Sequence, residues 1–295
     1  MSFLKYLLNL IASFFTDQDQ SLGELIFSAE RPWKLSSLTN TSFGLFVGIY
    51  NSESRSNSKL FRDGLLIYEG REETIGQGME HGDCVYFAGE NGGLLIYAGG
   101  KIVKGVRLNF ASTCAAFNGK PYVFNTKDNK ISAINCLTNV AEFTMPGGGI
   151  VTMALEDGGK LYTAACDGAG GIACNDGSLL RMADCQCLIK YNGRIFISRG
   201  NKVYEKDGVD LSFIDELPCE KIMHMDVSSG LLWVTGSNPD SLWTYNQVLR
   251  RKEAARFPND VAPVGGSVFR TRVTAGYWGR CENGSAARVY KIEGA

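Results

Sequence analysis

Asn192-Gly193-Arg194-Ile195-Phe196-Ile197, followed by Val203-Tyr204-Glu205-Lys206-Asp207-Gly208-Val209-Asp210, is the stretch whose reading decides the fold. Asn-Gly is a turn dipeptide because both residues tolerate positive φ, and a β-branched and aromatic run follows it. Asp207-Gly208 punctuates a second pair of short β-runs in the same manner. Two tight hairpins in succession predict a small antiparallel sheet.

The same order of signals recurs along the chain. The second runs are Leu45-Phe46-Val47, Val85-Tyr86-Phe87, Pro121-Tyr122-Val123, Leu161-Tyr162-Thr163, Ile195-Phe196-Ile197, Leu232-Trp233-Val234 and Val268-Phe269-Arg270. Their central aromatics, from Phe46 to Phe269, are 40, 36, 40, 34, 37 and 36 residues apart. Asn118-Gly119, Gly158-Gly159, Ser229-Gly230 and Gly265-Gly266 precede four of the others as turns. Third and fourth runs repeat around Asp63-Gly64, Gly99-Gly100 and Asp176-Gly177, and Trp243 to Leu249 is a version without glycine.

Four short strands in a period of about 37 residues, repeated about seven times, predict units that cannot bury both faces alone and must stack. Across residues 21–295 the pattern resembles the β-propeller superfamily. That resemblance implies an all-β, seven-bladed β-propeller, with residues 1–20 set apart as an N-terminal helix and connector. The last repeat ends after Ala287 to Ile292 without a fourth run, whereas Glu24 to Ser28 is a β-like run ahead of the first inner strand, Trp33 to Thr39. The early run is therefore expected to fill the outer place of the last blade and close the ring. The resemblance stops at the superfamily. The Trp-Asp and Gly-His pairs of WD40 blades are absent, and the kelch spacing is not sustained. Ser237 to Trp243 resembles a sialidase Asp-box only once and with the wrong spacing. No family's active site carries over.

Composition narrows the partners. Thirty Lys and Arg against 31 Asp and Glu give a net charge of −1, so no single-sign field favours nucleic acid. Glycine is abundant at 35 residues and proline scarce at 7, which suits tight turns between short strands. The nine cysteines (84, 114, 136, 166, 174, 185, 187, 219 and 281) contain no Cys-x-x-Cys pair and sit mostly in apolar runs. They read as small buried hydrophobes in a reducing, cytoplasmic compartment. The two histidines, His81 and His224, lack ligand spacing to a cysteine pair, so no zinc is expected.

Residues 1–16, MSFLKYLLNLIASFFT, place Ser2, Lys5, Asn9, Ser13 and Thr16 on one helical stripe. Leu4, Leu7, Leu8, Ile11, Phe14 and Phe15 form the wide apolar face. At about 1.5 Å per residue the helix is short for a bilayer, and neither a small-residue cleavage site nor a basic leader accompanies it. It is expected to be retained and to dock on a partner chain or on the protein's own body, with membrane the weaker alternative.

Chemistry at a propeller's channel would come from the inner runs. Glu80, His81 and Asp83, Glu156 and Asp157, His224 and Asp226, and Asn259 and Asp260 supply the polar candidates. His224 and Asp226 share one face of a strand and are the strongest channel-facing pair. Their plainer reading is a solvated lining. Asp167-Gly168-Ala169-Gly170-Gly171 and Gly147-Gly148-Gly149 read as a hairpin tip and a connection, and Arg250-Arg251-Lys252 with Arg256 as a solvated basic run. The expectation is a non-catalytic protein-interaction or structural scaffold in a multi-chain assembly, such as a bacteriophage head or tail. No cofactor and no metal are expected. The alternatives are a metal-dependent, lactonase-like hydrolase or lyase at the channel mouth, and a carbohydrate binder using exposed Trp243, Tyr277 and Trp278.

Overall fold

Asn192 (φ 48°) and Gly193 (φ 78°) adopt the left-handed pair that a two-residue hairpin needs, and Asn118 (φ 48°) and Gly119 (φ 69°) repeat it. Asp63-Gly64, Gly99-Gly100, Asp128-Asn129 and Gly158-Gly159 adopt the same pair. The computed structural model describes residues 24–54, 57–108, 113–166, 170–207, 210–228, 230–237, 241–246, 251–256, 272–274, 276–282 and 286–292.

Among the described residues there are seven four-stranded antiparallel sheets. Chain order begins with β1 (Glu24–Ala29). The first sheet is β2 (Trp33–Thr41), β3 (Gly44–Asn51), β4 (Ser58–Arg62) and β5 (Leu65–Gly70). The second is β6 (Met79–His81), β7 (Cys84–Gly89), β8 (Gly93–Ala98) and β9 (Lys101–Lys104). The third is β10 (Cys114–Phe117), β11 (Lys120–Lys127), β12 (Lys130–Asn135) and β13 (Val140–Pro146). The fourth is β14 (Ile150–Asp157), β15 (Lys160–Cys166), β16 (Gly171–Cys174) and β17 (Leu179–Arg181). The fifth is β18 (Cys185–Tyr191), β19 (Arg194–Arg199), β20 (Lys202–Asp207) and β21 (Asp210–Glu216). The sixth is β22 (Lys221–Ser228), β23 (Leu231–Ser237), β24 (Ser241–Asn246) and β25 (Arg251–Arg256). The seventh is β26 (Arg272–Thr274), β27 (Tyr277–Glu282) and β28 (Ala286–Lys291), with β1 as its outermost member. The protein is a seven-bladed β-propeller.

Packing follows from that order. Each sheet has two apolar faces, and an apolar cluster fills each of the seven junctions between neighbouring sheets. Phe46, Leu60, Ile75, Val85 and Phe87 join the first sheet to the second. Phe196, Ile222, Met225, Leu232 and Trp243 join the fifth to the sixth. Each such fully buried side chain is worth about 1.5–3 kcal/mol. At the seam between seventh and first sheets, Phe27, Leu35, Val47, Ala287 and Val289 pack together. There the Leu35 amide also donates to Cys281 Sγ at 3.2 Å. In the same seam β1 pairs antiparallel with β28, Phe27 opposite Val289 and Ala29 opposite Ala287.

The sequence frame slips in the last sheet. Val268-Phe269-Arg270 and Gly265-Gly266 lie outside the described residues, and the second strand of that sheet is β27. In the first six sheets the aromatic is the third residue of the paired second strand, as Phe46 is after Gly44 and Trp233 after Leu231. The equivalent position in β27 is Gly279. A Cβ there would come 2.7 Å from Leu35 Cδ2, so Leu35 occupies the space that an aromatic fills elsewhere. The equivalent position thus falls ten residues later than expected, at 279 instead of 269. Residues 1–16, with the predicted helix face of Leu4, Leu7, Leu8, Ile11, Phe14 and Phe15, lie outside the described residues, as does the connector up to residue 20.

Candidate functional site

Alternation of strand direction sorts the turns between two mouths of the ring. Turns from first to second and from third to fourth strands crowd one mouth. Turns from second to third strands and the sheet-to-sheet connections crowd the other.

At the first mouth the expected channel acids join neighbouring sheets. Glu80 accepts a hydrogen bond from the Ser42 amide at 2.8 Å. Glu156, at the equivalent place in β14, accepts one from the Asn118 amide at 3.0 Å. Both donors open the two-residue turn of the preceding sheet. Asp157 pairs with Lys190 of the fifth sheet, and the Tyr191 hydroxyl donates to the Gly230 carbonyl of the sixth at 2.9 Å. A carboxylate held by a backbone amide is a strong link between rigid bodies, and these links repeat around the mouth. His81 ends β6, and Asp83 sits in the two-residue turn to β7.

His224 is 4% exposed on β22 and Asp226 is half-buried two residues on, opposite Thr235 and Trp233 respectively. Asn259 and Asp260 lie outside the described residues. Among the described residues no three His, Cys, Asp or Glu side chains are grouped to hold a metal ion.

The expected exposed aromatics are corrected by burial. Trp243 is 6% and Trp278 1% exposed, because both fill sheet junctions. Trp278 also stacks on Tyr290 at 5.7 Å. Tyr277 is half-buried. The nine cysteines are thiols, eight of them buried. Burial pushes Cys114 and Cys185 far up, and Cys219 to about 11, so these are not thiolates at neutral pH.

At the second mouth, Gly149 and Ile150 face Asn125, Thr126, Lys127, Asp128 and Asn129 across an open cleft of about 470 Å³. Asp167, Gly168 and Ala169 lie outside the described residues, and the basic run reappears as β25, an outer strand.

Two features were not anticipated from sequence. The first is Glu72, a carboxylate 1% exposed in the connection between the first and second sheets. Tyr68 Oη donates to it at 2.7 Å, Ser58 Oγ at 3.3 Å and Lys104 Nζ at 3.2 Å. A Cβ on Gly89 would come 2.7 Å from Glu72 Cγ, and one on Gly70 or Gly92 would also collide with this side chain. Three glycines thus clear the space for one acid. Burial pushes the carboxyl up, but hydrogen bonds from Tyr68, the backbone and Lys104 outweigh it and hold the group below its ordinary range. The second is the rim. The exposed large apolar side chains among the described residues are Leu25, Leu65, Leu66, Val103, Leu137, Val140 and Phe213. Leu137 is in the turn leading into β13, and the other six are on the outermost strands β1, β5, β9, β13 and β21. A mixture of apolar and polar residues in every fourth run was the available signal.

No family model matches the chain, and no curated protein matches it. Solved structures do. The WD40 domain of Neurospora crassa Pan2 superposes with a TM-score of 0.64 at 12% identity, covering 93% of this chain and 97% of that one. BBS1N, solved in complex with ARL6DN, superposes with a TM-score of 0.58 at 13% identity, covering 93% and 98%. BamB from Moraxella catarrhalis gives 0.54 at 10% identity, covering 91% and 99%. At such identities the likeness is one of fold.

Proposed function

We propose that this propeller is a non-catalytic module that binds other proteins through its rim. The observation carrying the reading is that the exposed large apolar side chains among the described residues lie on outermost strands or the turn into one. Those strands also present unpaired backbone edges, which together with apolar side chains suit strand-to-strand or side-on docking. The inner acids Glu80, Glu156 and Asp157 hold neighbouring sheets together, which supports a scaffold more than a reaction centre. BBS1N, similar in fold, was solved bound to a second protein.

The β1–β28 ladder is read as the clasp that joins the two ends of the chain and keeps the rim in one piece. The apolar face predicted for residues 1–16 would add a second docking element, and membership of a larger assembly, a virion among them, follows from the same reading. The nine thiols support a reducing compartment.

The test is quantitative proximity labelling in the source cells, comparing wild type with a Leu65→Ser, Leu66→Ser, Val140→Thr variant. The expected result is loss of a defined set of labelled proteins, with folding intact by circular dichroism. An unchanged set would overturn the rim as the docking surface.

A further inference from the structure

We propose that copies of this chain associate head to tail, with the outer strand β9 of one copy pairing with the outer strand β21 of the next. This rests on the reading of the rim as a docking surface and names one partner for it, a second copy.

Charge is the first argument. From Asn91 to Lys127 the chain has five basic residues, Lys101, Lys104, Arg107, Lys120 and Lys127, and no acidic one. From Asp207 to Glu220 it has five acidic residues, Asp207, Asp210, Asp215, Glu216 and Glu220, and no basic one. These two segments contain β9 and β21, the edges of the second and fifth sheets. Lys101, Lys104 and Arg107 are exposed on the basic edge, and Asp210 and Glu216 on the acidic edge. Asp207 and Asp210 face each other directly across the β20–β21 ladder, and both are exposed. Like charges so placed repel, and an external cation relieves them.

Apolar contact is the second. Val103 is 48% exposed on β9 and Phe213 58% exposed on β21, so each charged edge carries an apolar centre. The third is spacing. Lys101 and Arg107 are six residues apart, as are Asp210 and Glu216. Antiparallel pairing of the two edges therefore brings Lys101 toward the Glu216 end and Arg107, just past β9, toward the Asp210 end, with Glu216 shared with Lys202 3.6 Å away and the irregularity between Phe213 and Asp215 locally offsetting the register. The second and fifth sheets are three places apart in a ring of seven, so the two edges cannot meet within one molecule. Pairing between copies joins unlike surfaces and propagates as an open chain or a larger ring.

Sedimentation velocity of the full chain tests this, with two charge-reversed variants. Lys101→Glu with Arg107→Glu leaves the first variant without a basic edge, and Asp210→Lys with Glu216→Lys removes most of the negative charge from the acidic edge of the second. Lys104 is left unchanged because it bonds Glu72. Wild type is expected to associate with rising concentration at low ionic strength and to dissociate near 1 M salt, where screening acts over about 3 Å. Each variant alone is expected to lose about tenfold or more in association constant. An equimolar mixture of the two is expected to recover pairing, because the unaltered acidic edge of the first variant meets the unaltered basic edge of the second. Wild type that stays monomeric at every concentration, or a mixture that fails to associate, would overturn the proposal. Either failure leaves the rim reading to be decided by the Leu65, Leu66 and Val140 variant, whose residues lie outside both edges.

Discussion

Replacing Glu72 by alanine removes the one acceptor shared by Ser58, Tyr68 and Lys104. The three donors fare differently. The Lys104 side chain is 60% exposed and returns to water at small cost. Tyr68 is half-buried and recovers part of its hydration. Ser58 is 0% exposed, so its hydroxyl loses a partner where water does not reach. An orphaned buried hydroxyl costs about 1–3 kcal/mol, and each hydrogen bond to a charged group contributes about 1.5–3 kcal/mol. With the Lys104 and Tyr68 contributions discounted for solvent, Glu72→Ala should cost about 3 kcal/mol. Glu72→Gln keeps an acceptor in place and should cost about 1–2 kcal/mol.

The glycines supply an internal control. Gly92→Ala brings a Cβ into the Glu72 side chain and should destabilise the wild type. In the Glu72→Ala background that collision is gone, so the two changes should couple with opposite sign to additivity. Acid pH supplies another. Because the folded carboxyl sits below its unfolded pKa of about 4.3, the unfolded state binds the extra proton there. The contribution of Glu72 is complete above that value and fades as pH falls through the folded one. The gap between wild type and Glu72→Gln should therefore narrow in acid. Urea unfolding followed by circular dichroism measures all of these. Glu72→Ala within about 0.5 kcal/mol of wild type, or strictly additive behaviour with Gly92→Ala, would refute the reasoning.

Glu142 accepts hydrogen bonds from Tyr122, Asn135 and Lys120, the Tyr122 bond being the strongest influence, and its carboxyl is drawn down to about 2. Carboxyl NMR should place its midpoint there, with its contribution to stability lost only as pH falls through that value; a midpoint near about 4.3 would sink the assignment. Tyr122, raised to about 12 by burial and then by Glu142, should resist spectrophotometric titration until that pH. Gly279→Ala should destabilise by about 1–3 kcal/mol through overpacking against Leu35, and Leu35→Ala should relieve it, as thermal melts of the single and double variants would show.

Six second strands were legible because an aromatic recurs beside a turn of glycine or asparagine, and both are forced by local physics. Phe46, Tyr86, Tyr122, Tyr162, Phe196 and Trp233 all lie in second strands. The seventh was misplaced because Gly279 has no side chain to announce itself and its space is filled by Leu35, more than two hundred residues away in sequence. Glu80 and Glu156 were recognised as mouth residues, but their partners are backbone amides of the preceding turn, which no side-chain pattern encodes. Glu72 was missed for a related reason. An acid in a connection reads as solvated, and its burial depends on glycines that only the stacked sheets bring together. The alternative of a carbohydrate binder needed Trp243 and Trp278 at the surface, yet the sheet junctions claim them.

The β1–β28 ladder lies at the seam between the seventh and first sheets, where a single closed ring must hold. Unfolding a truncated protein that begins after Ala29, and so lacks β1, addresses that directly. Loss of the ladder opposite Ala287, Arg288 and Val289 should lower the melting temperature and split or broaden the transition. A shortened chain that unfolds in a single transition at the temperature of the full-length protein would contradict it.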